Sequence, residues 1–173
     1  ELIQFRQNNM SMVFQKFALF PHKTVLQNVG YGLAIQNIPI NEWTARAEKW
    51  ISRVGLDGYE TYFPGQLSGG MQQRVGLARA LATDAEILLM DEAFSALDPL
   101  IRSEMQNILL DLQNELHKTI IFITHDLDEA LKIGDRIAIL RDGSVVQDSD
   151  PQKIIMNPAD EYVSDFIKDI NRA

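Results

Sequence analysis

Apolar residues follow two different spacings along the chain, and their alternation predicts a layered α/β fold. Residues 10–14 carry alternating apolar side chains and predict a strand. Residues 86–91 and 119–124 are nearly continuous apolar runs, which are typical of strands buried on both faces of a parallel sheet. Helical spacing begins at Pro99, a residue that suits the first position of a helix. The alternation of strands and helices over residues 86–140 therefore indicates α/β layering.

Further helices are predicted between the first two strands. Residues 24–36 have helical apolar spacing that Gly30 weakens, and Asn41 is a candidate N-cap for the next helix. Ser68 occupies an N-cap position before an apolar helix over residues 70–82. This part of the chain is therefore predicted to be mostly helical.

The end of the chain contains a turn signal and two helix-start signals. Asp142-Gly143 separates two short apolar runs and is a strong predictor of a two-residue β-hairpin. Pro151 and Pro158 each precede a predicted terminal helix.

Composition narrows the class of protein. The 173 residues are 46% hydrophobic and 23% charged, as expected for one globular domain or one domain with a small appendage. The net charge of −8 disfavours a broad nucleic-acid-binding surface. The chain has no cysteine, which excludes disulfides and thiolate metal sites. Its longest apolar runs fall far short of the roughly 18 residues that span a bilayer, so a membrane role is expected to be peripheral.

A small-residue turn at the start of a predicted helix is the first candidate for chemistry. Residues 67–73 read Leu-Ser-Gly-Gly-Met-Gln-Gln. The glycines would let backbone N–H groups approach a phosphate, and the helix dipole favours its negative charge. Ser68-Gly69-Gly70 taken alone is equally compatible with an ordinary helix start.

Two adjacent carboxylates are the second candidate. Asp91 and Glu92 follow the apolar run Ile87–Met90 at the end of a predicted strand. One carboxylate could bind Mg²⁺ while the other accepts a proton from water as a general base. The alternative is a pair of solvated acids at a strand end, which is less natural for two acids after four apolar residues.

Together, residues 67–73 and the run Ile87–Glu92 resemble the signature and Walker B motifs of the ATPase subunits of ABC transporters. The resemblance implies an α/β fold, an N-terminally truncated ABC ATPase domain, with a P-loop NTPase-like parallel sheet core and an inserted helical signature subdomain. It implies ATP and Mg²⁺ as cofactors. The implied parts are a partial ATPase core (1–15 and 84–150), a helical signature subdomain (16–83) and C-terminal helices (151–173).

The resemblance implies roles for four side chains near the strand ends. Asp91 corresponds to the family's Mg²⁺ ligand, and Glu92 to its general base. Gln15 corresponds to the Q-loop glutamine, which reaches both Mg²⁺ and the attacking water. His125 resembles the switch histidine that contacts the γ-phosphate, although a lone histidine is also compatible with a structural role.

The implied nucleotide contacts come from the signature motif and from the D-loop that follows the carboxylates. Asp98 in the D-loop is also a plausible N-cap for the helix beginning at Pro99, and both roles can hold at once. Arg74 and Arg79 are interpreted as an exposed helix face rather than a nucleic-acid site. The residues implied to bind the nucleotide are Ser68, Gly69, Gly70, Gln73 and Asp98.

The lysine of a phosphate-binding loop is not found in the expected pattern. That loop reads G-x-x-x-x-G-K-[ST], and none of the seven lysines here follows a glycine. The family carries the loop upstream of the residue corresponding to Gln15. We therefore expect the isolated chain neither to bind Mg-ATP with normal affinity nor to hydrolyse it.

Three longer phrases resemble the ATPases of glycine betaine/proline importers: residues 12–15 with 20–22, residues 91–102, and residues 125–130. Gln15 and Leu67 are 52 positions apart, which leaves room for a compact helical subdomain but not for the coiled coil of chromosome-maintenance ATPases. Three alternatives remain open: the ATPase of another importer of amino acids or small solutes, a non-transport ABC ATPase, and an inert interaction fragment.

The resemblance also implies partners and a location. A second ATPase subunit would close head-to-tail on this one, and a transmembrane permease subunit would contact the Q-loop and helical subdomain over residues 17–33. Phe17 and Phe20 are equally compatible with ordinary core packing. A substrate-binding protein would act indirectly, no nucleic acid is expected, and the chain would lie at the cytoplasmic face of the membrane.

Overall fold

The computed structural model describes residues 2–15 and 18–168. The chain divides into two compact units, Glu1–Ile123 and Thr124–Ala173. The elements described in the first unit are α1 (Leu2–Asn9), β1 (Met10–Val13), α2 (Val25–Val29), α3 (Tyr31–Ile35), α4 (Ile40–Arg53), a 3-10 turn (Pro64–Gln66), α5 (Gly69–Ala82), β2 (Ile87–Asp91), α6 (Pro99–Leu116) and β3 (Thr119–Ile123). Those described in the second are α7 (Leu127–Ile133), β4 (Ile137–Arg141), β5 (Ser144–Ser149), α8 (Pro151–Met156) and α9 (Glu161–Lys168).

A three-stranded parallel sheet organises the first unit. The strand order is β1-β2-β3, and both pairings are parallel. Val13 lies opposite Met90, and Asp91 lies opposite Ile123. The carboxyl ends of β1 and β2 therefore meet at one edge of the sheet, as the predicted α/β layering requires.

The predicted burial of the strands is only partly correct. Leu88 and Met90 of β2 are each 1% exposed, whereas alternate residues of that strand are only partly buried. The prediction for β3 is wrong, because Ile121 and Ile123 are 51% and 56% exposed. Within the described residues β3 pairs with β2 alone, and with a period of two its covered face is the one carrying Ile120 and Phe122.

The single helix predicted over residues 24–36 is instead two short helices, α2 and α3. They meet at Gly30, where an added Cβ would lie 2.2 Å from Cε3 of the Trp43 ring. Glycine at this position permits the close approach of α4. The predicted N-cap of α4 is also wrong, since Pro39 and not Asn41 precedes its first turn.

A buried asparagine fixes the segment from Phe20 to Thr24. Asn28 is fully buried, and its Oδ1 accepts a hydrogen bond from Phe20 N at 2.8 Å. Its Nδ2 donates to the carbonyls of Phe20, Lys23 and Thr24 at 3.0–3.1 Å. The side chain thereby bonds to backbone groups of three residues that precede α2, and it ties this segment to that helix.

The two arginines of α5 do not form the exposed face that was predicted. Arg74 donates to the carbonyl of Val54 at 2.9 Å and to Glu104 at 2.7 Å. Arg79 donates to the carbonyl of Ala18 at 2.7 Å, and burial lowers its pKa. Each arginine joins α5 to a segment distant in sequence, which helical spacing alone cannot reveal.

The second unit is built on a β-hairpin. Asp142 and Gly143 have φ values of +49° and +78°, which confirms the predicted two-residue turn. The strands β4 and β5 are antiparallel, and α8 and α9 confirm the two predicted terminal helices. The core of this unit consists of Ile137, Ile139, Ile154 and Val163.

Within residues 2–15 and 18–168, every helix is too short or too polar to traverse a lipid bilayer.

Candidate functional site

Two of the predicted catalytic side chains are in direct contact at the carboxyl edge of the sheet. Gln15 Nε2 donates a hydrogen bond to Glu92 Oε2 at 2.9 Å, although the residues are 77 positions apart. The same nitrogen lies 3.3 Å from Ser95 Oγ. The contact follows from the topology, because Gln15 follows β1 and Glu92 follows the adjacent parallel strand β2.

The backbone of Glu92 has an uncommon conformation. Its φ of +44° lies in the left-handed region, which costs a non-glycine residue on the order of 1 kcal/mol or more. Its N–H still donates to the carbonyl of Ile123 at 2.9 Å, and Ala93 and Phe94 after it are buried. The core therefore holds the chain in a sharp turn that directs the Glu92 side chain towards Gln15.

Asp91 is the last residue of β2 and is partly buried. Strand geometry places it on the same side as Leu89, opposite the fully buried Leu88 and Met90. Among the described residues there is no group of three or more histidines or carboxylates that could hold a metal ion. An ion such as Mg²⁺, which keeps waters and phosphate oxygens as ligands, needs only one or two protein oxygens. The Asp91 carboxylate and the Gln15 amide oxygen suit that requirement.

Hydrogen bonds among residues 92–97 stabilise the turn between Glu92 and α6. Ser95 donates twice to the carbonyl of Glu92, from its backbone N at 3.2 Å and from its Oγ at 2.9 Å. Leu97 N donates to the carbonyl of Phe94 at 3.1 Å, and Phe94 is fully buried. Asp98 is exposed and caps α6 by accepting from Ile101 N at 3.2 Å, so its predicted capping role is confirmed.

Arg102 is a contributor to this turn that sequence reasoning missed. Its Nη2 donates to the carbonyls of Ser95 and Leu97 at 3.3 and 3.2 Å. The helix dipole disfavours a cation near the N-terminus of a helix, and Arg102 lies in the first turn of α6. An arginine at such a position therefore indicates that acceptors lie nearby. Arg102 fixes the backbone between the proposed base and Asp98.

Replacing Arg102 by Met should therefore destabilise the turn while keeping most of the side-chain volume. We expect a loss of about 1–3 kcal/mol in unfolding free energy, because two carbonyls lose a charged donor. Urea denaturation measures this, and Arg46→Met on the exposed face of α4 is the control. An R102M variant as stable as the parent would contradict the assigned role.

The signature turn is exposed at the start of α5. Ser68 is the N-cap, as predicted, and its Oγ accepts from Met71 N at 3.3 Å. Ser68 and Gly69 are exposed, whereas Gly70 is partly buried. A Cβ on Gly70 would lie 2.6 Å from Cγ2 of Ile101 in α6. Close packing of α5 on α6 thus explains this glycine without reference to a phosphate.

Gln73, which was predicted to contact a nucleotide, is instead fully buried. It lies on the same face of α5 as the buried Leu77 and Ala80, so its side chain does not reach a ligand at the surface from this position. Within the described residues, its Oε1 and Nε2 have no hydrogen-bond partner. A buried amide of this kind costs about 1–3 kcal/mol.

His125 belongs to the second unit, between Thr124 and the helix α7. It is exposed, and the residue after it, Asp126, caps α7 by accepting from Glu129 N at 3.2 Å. The switch role predicted for His125 stays a prediction.

The segment predicted to receive the membrane subunit is described from Ala18 onwards, and Phe17 lies outside the described residues. Phe20 is partly buried, and its ring centroid lies 4.3 Å from that of Tyr31. Lys23 Nζ lies 5.5 Å from the centroid of the same tyrosine ring. Phe20 thus packs against α3 and keeps part of its surface accessible.

Comparison with known proteins identifies the class. The family model described as ABC transporter matches residues 1–95, which is more than half of the chain. The chain therefore belongs to the ABC transporter family, and its parallel sheet with attached helices is the α/β fold of that family's ATPase domain.

Individual relatives narrow the comparison. The chain is 61% identical over 173 residues to the glycine betaine/carnitine transport ATP-binding protein GbuA of Listeria monocytogenes, covering 100% of this chain and 44% of GbuA. It is 59% identical over 171 residues to the glycine betaine transport ATP-binding protein OpuAA of Bacillus subtilis, covering 99% and 41%. The trimethylamine N-oxide transport system ATP-binding protein TmoW of Pelagibacter ubique is 55% identical over 172 residues, covering 99% and 50%. The chain spans half or less of the length of these relatives.

Proposed function

We propose that this chain forms part of the ATP-hydrolysing subunit of an importer for glycine betaine or a related methylated amine. The observation that carries the hydrolytic role is the Gln15–Glu92 contact at the sheet edge, next to Asp91. The solute class is supported by the glycine betaine transport proteins that are 59–61% identical to this chain.

Glu92, Asp91 and Gln15 at the sheet edge have different proposed roles in phosphoryl transfer to water. Glu92 accepts a proton from the attacking water, which requires a carboxylate held in a fixed direction. Asp91 and the amide oxygen of Gln15 are the proposed protein ligands for Mg²⁺. When bound, Mg²⁺ supplies charge neutralisation for the phosphate oxygens.

The exposed turn at the start of α5 supplies the second half of the proposed site. Ser68 and Gly69 present a hydroxyl and backbone N–H groups at a helix N-terminus, where negative charge is favoured. We propose that this turn contacts the ATP held by a second ATPase subunit in a head-to-tail pair, with Asp98 at the same interface. Gly70 contributes to the turn by packing against Ile101 of α6, and the buried Gln73 is not part of the proposed site.

The remaining partners belong to the same proposal. A transmembrane permease subunit would contact the segment from Ala18 to Tyr31, where Phe20 is partly accessible. The complex would work with a substrate-binding protein and place this chain at the cytoplasmic face of the membrane.

The test is solute uptake by a reconstituted transporter. A full-length protein that carries this chain together with a phosphate-binding loop is combined with its membrane subunits in proteoliposomes. We expect ATP-dependent accumulation of labelled glycine betaine, and in the Asp91→Asn variant uptake at the level seen without ATP. Hydrolysis coupled to a solute that is not a methylated amine would overturn the solute class, and absence of hydrolysis would overturn the whole proposal.

Trimethylamine N-oxide is the second candidate solute, because TmoW is 55% identical to this chain. Uptake measured with each labelled solute, and competition by the other unlabelled one, distinguishes the two candidates.

A further inference from the structure

Three polar groups at the sheet edge form a closed set of hydrogen bonds. Gln15 Nε2 lies 2.9 Å from Glu92 Oε2 and 3.3 Å from Ser95 Oγ. Ser95 Oγ donates its own proton to the carbonyl oxygen of Glu92 at 2.9 Å. The serine hydroxyl thus stands between the amide of Gln15 and the backbone of the proposed base.

The chemistry of these partners fixes which end of the Gln15 amide faces them. An ionised carboxylate offers acceptors only, and a hydroxyl has a single proton. Because the proton of Ser95 is used on the Glu92 carbonyl, Ser95 Oγ can meet Gln15 only as an acceptor. Both contacts therefore require the NH₂ end of the amide, and the two protons of that group match the two acceptors.

The other end of the amide, Oε1, is consequently turned away from Glu92 and Ser95. Within the described part of the chain, no donor bonds to Gln15 Oε1. An amide oxygen is a good ligand for Mg²⁺, whereas an NH₂ group in the same place would repel the ion. The orientation of the amide therefore decides whether Gln15 can serve the role proposed for it.

We propose that Ser95 is a positioning residue. By accepting a hydrogen bond from the NH₂ group of Gln15, it helps to orient the amide so that Oε1 faces a divalent cation. This inference rests on the proposed function, since it assumes that the cation is bound beside Asp91. Without the hydroxyl, the NH₂ group loses one of its two acceptors, and the Glu92 carboxylate alone is left to orient the amide.

The backbone of Ser95 is held independently of its hydroxyl. Ser95 N donates to the Glu92 carbonyl, and Arg102 donates to the Ser95 carbonyl. Ser95→Ala therefore removes the acceptor while the turn keeps its backbone bonds. This separation makes the substitution a test of positioning rather than of folding.

The experiment uses a full-length protein that carries this chain together with a phosphate-binding loop. We expect Ser95→Ala to raise the Mg²⁺ concentration for half-maximal ATP hydrolysis about fivefold, the loss expected for one neutral hydrogen bond. Nucleotide affinity measured in EDTA should not change. Ser95→Thr, which keeps the hydroxyl, should restore the parent value, and Ser103→Ala on the exposed face of α6 should have no effect.

A second readout does not depend on turnover. Binding of Mn²⁺ together with a non-hydrolysable ATP analogue, followed by electron paramagnetic resonance, should weaken by the same factor in Ser95→Ala. In a Gln15→Ala background, Ser95→Ala should cause no further loss, because the two residues act through one amide. An equal loss in that background, or unchanged metal affinity in Ser95→Ala alone, would overturn the inference. A parent protein with no Mg²⁺-dependent hydrolysis would instead overturn the proposed function.

Discussion

Glu92→Gln is expected to lower ATP hydrolysis by roughly 10²–10⁴-fold in a full-length protein that carries this chain, while ATP-bound dimers accumulate. An amide cannot accept the proton of the attacking water. Its oxygen can still accept the hydrogen bond from Gln15 Nε2, now 2.9 Å from the carboxylate, so the local geometry should be kept. The loss should therefore lie in the chemical step and not in nucleotide binding.

Phosphate release measures the first effect, and size-exclusion chromatography with ATP measures the second. Glu86→Gln is the matched control, because Glu86 is exposed and precedes the opposite end of β2. The control should hydrolyse ATP normally and should not trap dimers. Turnover at the parent rate in Glu92→Gln would contradict the general-base assignment.

The sequence was sufficient to predict the elements whose signals are local. Ser68 and Asp98 cap α5 and α6, and the Asp142-Gly143 turn forms its hairpin, because each depends on residues within a few positions. The strand β2 was also correctly located, because a continuous apolar run of that length is typical of a strand and too short for a helix. Motif resemblance then led to the family that the comparison confirms.

Exposure and helix breaks were harder to predict, because they depend on neighbours distant in sequence. The apolar run of β3 reads as buried, but its burial depends on the elements that cover its faces. The break between α2 and α3 depends on the ring of Trp43, which approaches Gly30 from another helix. Helix α1 carries no apolar stripe, and its first seven residues are exposed, so periodicity gave no indication of it.

In the candidate site, too, some features could be predicted from the sequence and others depend on residues that are distant along the chain. Gln15 and Glu92 were proposed from motifs, and their contact could be expected once their strands were known to be parallel neighbours. The roles of Ser95 and Arg102 are different, because both depend on hydrogen bonds to backbone carbonyls in the turn that begins at Glu92, a residue with positive φ. A sequence pattern does not indicate the direction of a carbonyl group, so those two roles could be assigned only from the structure.

Gly70→Ala separates packing from phosphate approach as the reason for a glycine in the signature turn. The new Cβ would lie 2.6 Å from Cγ2 of Ile101, a β-branched side chain with little freedom to move. We expect a loss of about 1–3 kcal/mol in unfolding free energy, the usual cost of overpacking, and a displaced start of α5. Hydrolysis should fall with it, because Ser68 and Gly69 begin that helix.

The informative comparison is the same substitution in an Ile101→Ala background, where the clashing methyl group is absent. If packing is the reason, Gly70→Ala should then cost little in urea denaturation and leave hydrolysis close to that of Ile101→Ala. Gly65→Ala is the control, since a Cβ there meets no atom within 4 Å. Recovery of stability without recovery of hydrolysis would mean that the nucleotide, rather than α6, requires the glycine. That result would return Gly70 to the group of residues that contact ATP.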